Sequence, residues 1–317
     1  MRTMLMSLAL AGSLASGHAV AQERPVRLIV PFPPGPGVDL IARTVSTPLS
    51  QKLGQNIVVD NRPGAGSVIG ADLAAKSPPD GNTLLFVNLG FAINAAIMTK
   101  LPYDPLRDLA PVTVVATQPH ILVVNPAVPV KTVRDLVALA KSKPGEVTYA
   151  SSGNGTGPHL VGEMFSNLVG VRMNHIPYKG ANPALVDVIG GHAQIMFATL
   201  VSSLPHVQSG KLRPIAVTSV KRTRHLPEVP TMIESGIPDF EAVGWYMVMA
   251  PARTPAPVMA RLQAGVAEAL TDPTVRERLS GDGAELVASK PADAMRFLQT
   301  EIKRWGAVAK AAGLKRD

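Results

Sequence analysis

The feature that most constrains this chain is a strand followed by a glycine-rich loop and a helix, a unit that occurs twice. In the first unit, the apolar segment Val26–Val30 leads through residues 31–39 into a helix of apolar periodicity. In the second, residues 147–150 lead through residues 151–157 into another such helix. A loop of this kind places unpaired backbone N–H groups and the positive end of a helix dipole beside a cleft. Both units therefore predict a place for an anion such as a carboxylate or a phosphate.

Strand-like and helical segments alternate along most of the chain, which is typical of an α/β fold with a mostly parallel sheet. Separate apolar strands are predicted at 112–116, 121–125 and 243–250, the last two where the chain crosses between two units. Three predicted helices at the end of the chain return to the first unit. We therefore expect two domains with a ligand cleft between them. Their predicted boundaries are 22–122 plus 244–317 for the first domain and 123–243 for the second.

The first 21 residues have the three parts of a secretory signal peptide. Arg2 supplies the positive start, residues 4–15 the apolar centre, and residues 19–21 the small-x-small cleavage pattern. An uncleaved anchor or a buried helix is the alternative, but the apolar centre is shorter than the roughly 18 residues of a membrane span. The chain has no cysteine, which excludes a lipid-anchored lipoprotein. Export without disulfides suits a bacterial periplasm, and cleavage after Ala21 leaves enough chain for two domains.

Several function classes are disfavoured by composition and spacing. The formal charge of +8 is dispersed and only 4% of residues are aromatic, so nucleic-acid binding is not expected. His159 and His175, the histidines nearest the expected cleft, do not pair with another histidine or carboxylate at metal-ligand spacing, so no metal is predicted. The third glycine of the run 64–70 falls one place late for a dinucleotide fingerprint, so no cofactor is predicted. An exported α/β hydrolase is an alternative, but residues 151–155 do not match the G-x-S-x-G elbow.

The polar side chains of the two loops are the candidate ligand groups. Ser151, Ser152, Asn154 and Thr156 are able to donate hydrogen bonds to a carboxylate, and the alternative for them is turn chemistry and helix capping. Asp39 in the first loop either caps its helix, orders the loop, or binds an amine or a water. A direct ionic role for Asp39 is not expected, because its carboxylate repels that of a ligand.

Seven short motifs, in this order, resemble those of the tripartite tricarboxylate transporter substrate-binding proteins, also called the Bug or TctC family. The resemblance covers essentially all of the chain after the signal peptide. It implies a two-lobed periplasmic binding protein of type II, in which two crossing strands form the hinge. Such a protein is expected to be a monomer and not an enzyme. The resemblance also implies a small carboxylate ligand and a membrane permease as partner. The motifs are RLIVPFPPG (27–35), NRPGAG (61–66), PPDG (78–81), LPYDP (101–105), YASSG (149–153), HIPYKG (175–180) and LPEVPT (226–231).

The resemblance also carries over the positions of the ligand site. Two loops are expected to hold the proximal carboxylate, and two further segments are expected near the distal end of the ligand. The first loop contributes Pro34, Gly35, Pro36, Gly37, Val38 and Asp39, and the second Ser151, Ser152, Gly153, Asn154, Gly155 and Thr156, followed by His159. The distal residues are Asn88, Phe91, Ala198 and Thr199.

This sequence departs from the family pattern at the first loop and at Phe91. Pro36 and Val38 stand where the family usually has a second glycine and a hydroxyl residue, and Phe91 stands where a polar residue is usual. Pro36 removes a backbone N–H and Val38 a hydroxyl, so both departures predict a drier cleft. We therefore expect a ligand with one carboxylate and an apolar or aromatic body, rather than citrate. A receptor that signals to a membrane sensor kinase remains an alternative to transport.

Overall fold

The computed structural model describes residues 24–35, 38–281 and 283–314, and the predicted signal peptide, Pro36 and Gly37 lie outside these ranges. Strands and helices alternate, and the chain ends in three helices. The strands are β1 (Val26–Val30), β2 (Ile57–Asn61), β3 (Thr83–Asn88), β4 (Leu109–Val124), β5 (Thr148–Ser151), β6 (Asn174–Pro177), β7 (Ile195–Thr199), β8 (Arg213–Val217), β9 (Val243–Pro251) and β10 (Glu285–Leu286). The helices are α1 (Val38–Leu53), α2 (Val68–Ala75), α3 (Leu89–Ile97), α4 (Val133–Ser142), α5 (Gly157–Val169), α6 (Ala181–Gly190), α7 (Leu200–Gln208), α8 (Ala256–Ala269), α9 (Pro273–Gly281) and α10 (Pro291–Ala311).

Helix ends follow local chemistry. Helix α4 begins with a capping box, in which the Thr132 hydroxyl accepts the Asp135 N–H at 3.1 Å and the Asp135 carboxylate accepts the Thr132 N–H at 2.9 Å. Helix α5 has Pro158 at its second position, not at the first as the sequence predicted, and both positions suit a residue without an N–H. The same helix ends at Gly170, whose φ of 65° favours glycine.

The strands form one mixed sheet, which agrees with the predicted α/β class. Its main path has the order β2-β1-β3-β9-β4-β7-β5-β6, and β8 and β10 pair with β4 outside this path. Strand β1 pairs in parallel with β2 and β3 at one side, and β5 pairs in parallel with β6 and β7 at the other. The two parallel groups are joined by β9 and β4, which run antiparallel to their neighbours and to each other. Helices that follow parallel strands therefore begin at the carboxyl ends of those strands, on both sides of the crossing pair.

The prediction of separate strands at 112–116 and 121–125 is wrong, because β4 is continuous over 16 residues. Its first part pairs with β9 as far as Pro119, and its second part pairs with β7 from His120 onward. Proline is tolerated here because its missing N–H falls where the strand changes partners. The domain boundaries expected from the sequence stay a prediction.

Helix α10 is joined to β9 by a buried carboxylate. Glu301 is 1% exposed and its Oε2 accepts the indole N–H groups of Trp245 and Trp305, each at 3.0 Å. Its Oε1 accepts a hydrogen bond from Arg304 at 2.9 Å, and Arg304 also pairs with Glu241. Burial raises the pKa of Glu301, against the opposing effect of these donors. The network fixes the position of Trp245 in the crossing strand.

Candidate functional site

A cavity of about 490 Å³ lies where the carboxyl ends of β3, β5 and β7 face the crossing strands. Its walls combine backbone of glycine-rich turns, amide and hydroxyl side chains, and a few large apolar groups. No Asp, Glu, Lys or Arg of the described residues lines it. The lining residues are Phe32, Gly66, Asn88, Leu89, Gly90, Asn94, Gln118, His120, Ser152, Gly153, Asn154, Gly155, Thr156, Gly157, Pro158, Ala181, Thr199, Gly244, Trp245 and Tyr246.

Four helices begin at this cavity. Asn88 and Thr156 are the N-cap residues of α3 and α5, Ala181 is the first residue of α6, and Thr199 is the N-cap of α7. Each N-terminus carries unpaired N–H groups and about half a positive charge. The cavity is therefore electropositive although the described residues contribute no cationic side chain to it, and it suits an anion.

The second loop (151–156) follows β5 and is held from beneath by buried groups. The Ser151 hydroxyl lies 2.6 Å from His175 Nε2 and accepts the Gly153 N–H at 3.1 Å. The Thr156 hydroxyl donates a hydrogen bond to the Gly153 carbonyl oxygen at 2.7 Å. Gly153 and Gly155 have φ angles of 133° and 71°, which favour glycine at both bends. Ser151 thus supports the loop from a fully buried position, while residues 152–156 line the cavity.

Two side chains of this loop are left available to a ligand. Within the described residues, the side chains of Ser152 and Asn154 make no hydrogen bond. The amide groups of Asn88 and Gln118 are half used, because each accepts one hydrogen bond through its oxygen and leaves its NH₂ unused. Unused donors of this kind match a carboxylate, which only accepts.

His159 lies beneath the second loop and is 4% exposed, so the structure places it behind the lining residues. Its Nδ1 accepts the Gly155 N–H at 3.0 Å, and its ring stacks on His175 at a centroid distance of 3.9 Å. Burial lowers the pKa of His159, against the opposing charge of Glu163, and burial together with His159 lowers the pKa of His175 to about 4. Both imidazoles are therefore neutral at pH 7 and serve to shape the loop.

The first loop (34–39) is organised around Asp39, which is 4% exposed. Its carboxylate accepts the Gly35 N–H at 3.0 Å, the Asn61 amide at 2.8 Å and the Arg43 guanidinium at 3.0 Å. Burial opposes ionisation of Asp39, but these donors outweigh it and hold its pKa below the usual value. Neither Asp39 nor Pro34, Gly35 or Val38 lines the cavity, and Pro36 and Gly37 lie outside the described residues.

The distal residues predicted from the sequence divide into two groups. Asn88 and Thr199 line the cavity. Phe91 is 1% exposed and stacks on Tyr103 at 6.0 Å between ring centroids, and Ala198 is completely buried in β7. Phe91 therefore contributes to the core, and the expectation of a drier cleft gains no support from it.

Sequence reasoning missed the residues that the crossing strands supply. Gln118 and His120 of β4 and Tyr246 of β9 line the cavity. Nothing local marks these positions, because they meet through pairing between segments about 125 residues apart. One available signal is the presence of two polar residues, Gln118 and His120, within a mostly apolar strand. Buried polar groups in such a strand need partners or a ligand.

Gly66 reaches the cavity through a strained turn that the sequence did not reveal. Ala65, Gly66 and Ser67 have φ angles of 46°, 65° and 87°, an unusual run for residues other than glycine. The Asn94 amide holds this turn by donating to the Gly66 carbonyl oxygen and to the Ser67 hydroxyl. Asn94 itself lines the cavity, so one side chain joins the turn to the site.

Known proteins that are similar to this chain are receptors for small molecules, which agrees with a ligand cavity at this place. The family model described as "Tripartite tricarboxylate transporter family receptor" matches residues 41–314. The chain belongs to this receptor family. It is 41% identical to the protein BugT of Bordetella pertussis, over 92% of this chain and 90% of that protein. The receptor fold and the absence of enzymatic function in the family agree with the expectations from the motifs.

Two solved receptors resemble this one closely in structure. The R. palustris protein Rpa4515, solved with adipate, is 37% identical with a TM-score of 0.80, over 92% of this chain and 98% of that chain. MatC from Rhodopseudomonas palustris, solved with malate, is 30% identical with a TM-score of 0.78, over 90% and 99% of the two chains. Within the described residues, the receptor has no helix long and apolar enough to cross a membrane and no cluster of side chains suited to a metal ion.

Proposed function

We propose that this chain is a periplasmic solute-binding protein that captures a small carboxylate in the cavity and delivers it to a tripartite tricarboxylate-type membrane transporter. Cleavage after Ala21 would release it, as a monomer, into the periplasm. The observation that carries the proposal is the meeting of four helix N-termini around a cavity that no charged side chain of the described residues lines. Each helix end stabilises a nearby anion by about 0.3–1 kcal/mol, and more where water is excluded.

A carboxylate fits the hydrogen-bonding capacity of the site. Ser152, Asn154 and the NH₂ groups of Asn88 and Gln118 are donors without partners among the described residues. A carboxylate has about four acceptor positions and no donor, so it is able to satisfy several of these groups at once. The adipate and malate bound by two similar receptors belong to the same chemical class.

The cavity also has large apolar residues in its lining, which support a ligand with one carboxylate and an apolar or aromatic body. These residues are Phe32, Leu89, Trp245 and Tyr246. The sequence analysis based the same expectation partly on Phe91, but Phe91 lies in the core and does not line the cavity. Citrate has three carboxylates, so it would bring more charge into contact with these apolar residues, and removing that charge from water costs free energy.

Closure of two domains on the ligand is part of the proposal. The segments 22–122 with 244–317 would form one domain, and 123–243 the other, with β4 and β9 as the connection. Lining residues come from both segments, so movement about the crossing strands would change the volume of the cavity.

Calorimetric titration of the mature protein with benzoate, adipate and citrate tests the proposal. We expect benzoate or adipate to bind more tightly than citrate, and tighter citrate binding would overturn the apolar-body assignment. Gly157→Val is the blocked-site variant, because a Cβ at this position would lie 3.0 Å from His120 Nε2 and 3.3 Å from Leu89. Gly306→Ala in α10 is the control, since its Cβ would meet only Ala96 at 3.7 Å. Equal binding by both variants would place the ligand elsewhere.

A further inference from the structure

A histidine in the cavity wall is held in one orientation by the backbone. His120 is 2% exposed, and its ring Nδ1 lies 3.3 Å from the carbonyl oxygen of Ala242. Its backbone N–H donates to the Thr218 hydroxyl at 2.9 Å, and its carbonyl oxygen accepts the Thr218 N–H at 2.9 Å. A carbonyl oxygen only accepts hydrogen bonds, so Nδ1 carries the proton and Nε2 is the unprotonated nitrogen.

The unprotonated nitrogen borders the ligand space. Gly157 and Gly244 both line the cavity, and a Cβ on them would lie 3.0 Å from His120 Nε2 and 3.7 Å from His120 Cε1, respectively. Within the described residues, Nε2 makes no hydrogen bond. Burial lowers the pKa of His120 to about 4, so the ring stays neutral and Nε2 remains an acceptor at neutral pH.

An acceptor at this place is not satisfied by a carboxylate. Ser152, Asn154 and the NH₂ groups of Asn88 and Gln118 are all able to donate to a ligand, whereas Nε2 of the neutral ring is only able to accept and requires a donor from the ligand. A ligand that fills the cavity and offers only carbon or carboxylate oxygen to this nitrogen leaves it buried without a partner, which costs affinity.

We propose that the ligand carries a hydroxyl group that donates to His120 Nε2, so that this receptor selects hydroxycarboxylates over the matching unsubstituted acids. The inference rests on the proposed function, since it places a carboxylate in the same cavity. A hydroxyl fits better than an ammonium group, because no carboxylate from the described part of the chain lines the cavity and the helix N-termini repel a cation.

Pairs of acids that differ by one hydroxyl test this selection by calorimetry. The pairs are benzoate with each of its three monohydroxy isomers, and succinate with malate. We expect at least one hydroxylated member to bind about tenfold more tightly than its partner, which corresponds to one neutral hydrogen bond to a buried group. Aspartate, which replaces the hydroxyl of malate with an ammonium group, should bind no better than succinate. Equal affinities within every pair, or a preference for aspartate over malate, would overturn the inference.

His120→Phe assigns the preference to this residue, because it keeps a planar ring of similar size and removes the acceptor. The ratio of affinities within the best pair should fall from about ten to about one. That ratio is measured within one protein, so a general loss of stability or affinity in the variant affects both members alike. A ratio that stays near ten would assign the hydroxyl to another group. If no acid of the panel binds wild-type protein, the proposed function fails; if acids bind without preference, only the hydroxyl inference fails.

Discussion

The two glycine-rich loops look alike in sequence but use their polar groups in opposite ways. In the first loop, the Asp39 carboxylate is saturated by three donors from Gly35, Asn61 and Arg43. In the second loop, Ser152 and Asn154 face the cavity with no partner among the described residues. A strand–loop–helix corner therefore becomes a binding element only where its donors are not consumed by the fold itself.

The difference originates in what lies beneath each loop. The second loop is held by groups outside its exposed turn, namely the buried Ser151 hydroxyl and the imidazoles of His159 and His175. Because these groups fix the backbone from below, the side chains above are free to meet a ligand. The first loop has an internal carboxylate as its support, and of the described residues 31–35 and 38–39 only Phe32 lines the cavity. We expect the first loop to govern stability and the second to govern affinity.

Removal of the Asp39 carboxylate should show the largest effect on stability. Asp39→Ala leaves the Gly35 N–H, the Asn61 amide and the Arg43 guanidinium short of a partner, and we expect a loss of about 2 kcal/mol in the free energy of unfolding. Urea denaturation with an unchanged m-value measures this loss. Asp80→Ala is the matched control, because its carboxylate accepts one N–H on an exposed turn, and it should cost less than about 1 kcal/mol. Equal losses in the two variants would contradict the stabilising role of Asp39.

Lowering the pH should weaken the protein through the imidazoles that neighbour the cavity. His120 and His175 have pKa values lowered to about 4, the first by burial and the second by burial and His159. In the unfolded chain a histidine titrates near pH ~6.5, so below that pH the unfolded state takes up protons that the native state does not. The contribution of His120 and His175 to the free energy of unfolding is therefore complete above pH ~6.5 and decreases as the pH falls towards 4.

Between pH ~6.5 and ~5.5 we expect a loss of up to about 1 kcal/mol for each imidazole. Asp39 contributes nothing to this change, since its pKa is lowered from a value already below the window. Urea midpoints at both pH values measure the loss, and His175→Gln should reduce it by roughly a third, because the pKa values of His120 and His159 are also lowered. A loss that is unaltered in this variant would show that the support of the second loop is not the titrating element.

The sequence was informative where structure is local. The α/β class, both glycine-rich loops and most helices were predictable, because Gly153 or a capping Thr132 acts within a few residues. Strand β4 was predicted as two pieces, since Pro119 breaks the local pattern and only the change of partner explains its tolerance. The sequence also does not predict which loop lines the cavity, because this depends on partners that are distant in the chain. Asn61 lies 22 residues from Asp39, and His175 lies 24 residues from Ser151.

The smallest expected effect, and the one that separates the loops most directly, comes from the second loop. Ser152→Ala and Asn154→Ala each remove one unused donor, so each should weaken carboxylate binding by about fivefold, or roughly 1 kcal/mol, and more than Asp39→Ala does. Calorimetry with the best-binding acid measures this loss. Stability should change by less than about 0.5 kcal/mol, because neither side chain bonds within the described part of the protein.

Ser142→Ala is a suitable control for the serine variant. Its hydroxyl donates to the Leu139 carbonyl oxygen at the end of α4, and no residue of that helix lines the cavity. Affinity should therefore stay within about twofold of wild type. If Ser152→Ala and Asn154→Ala instead lowered stability and left affinity unchanged, these residues would be ordinary turn formers. The two loops would then be equivalent, and the helix N-termini alone would account for anion binding.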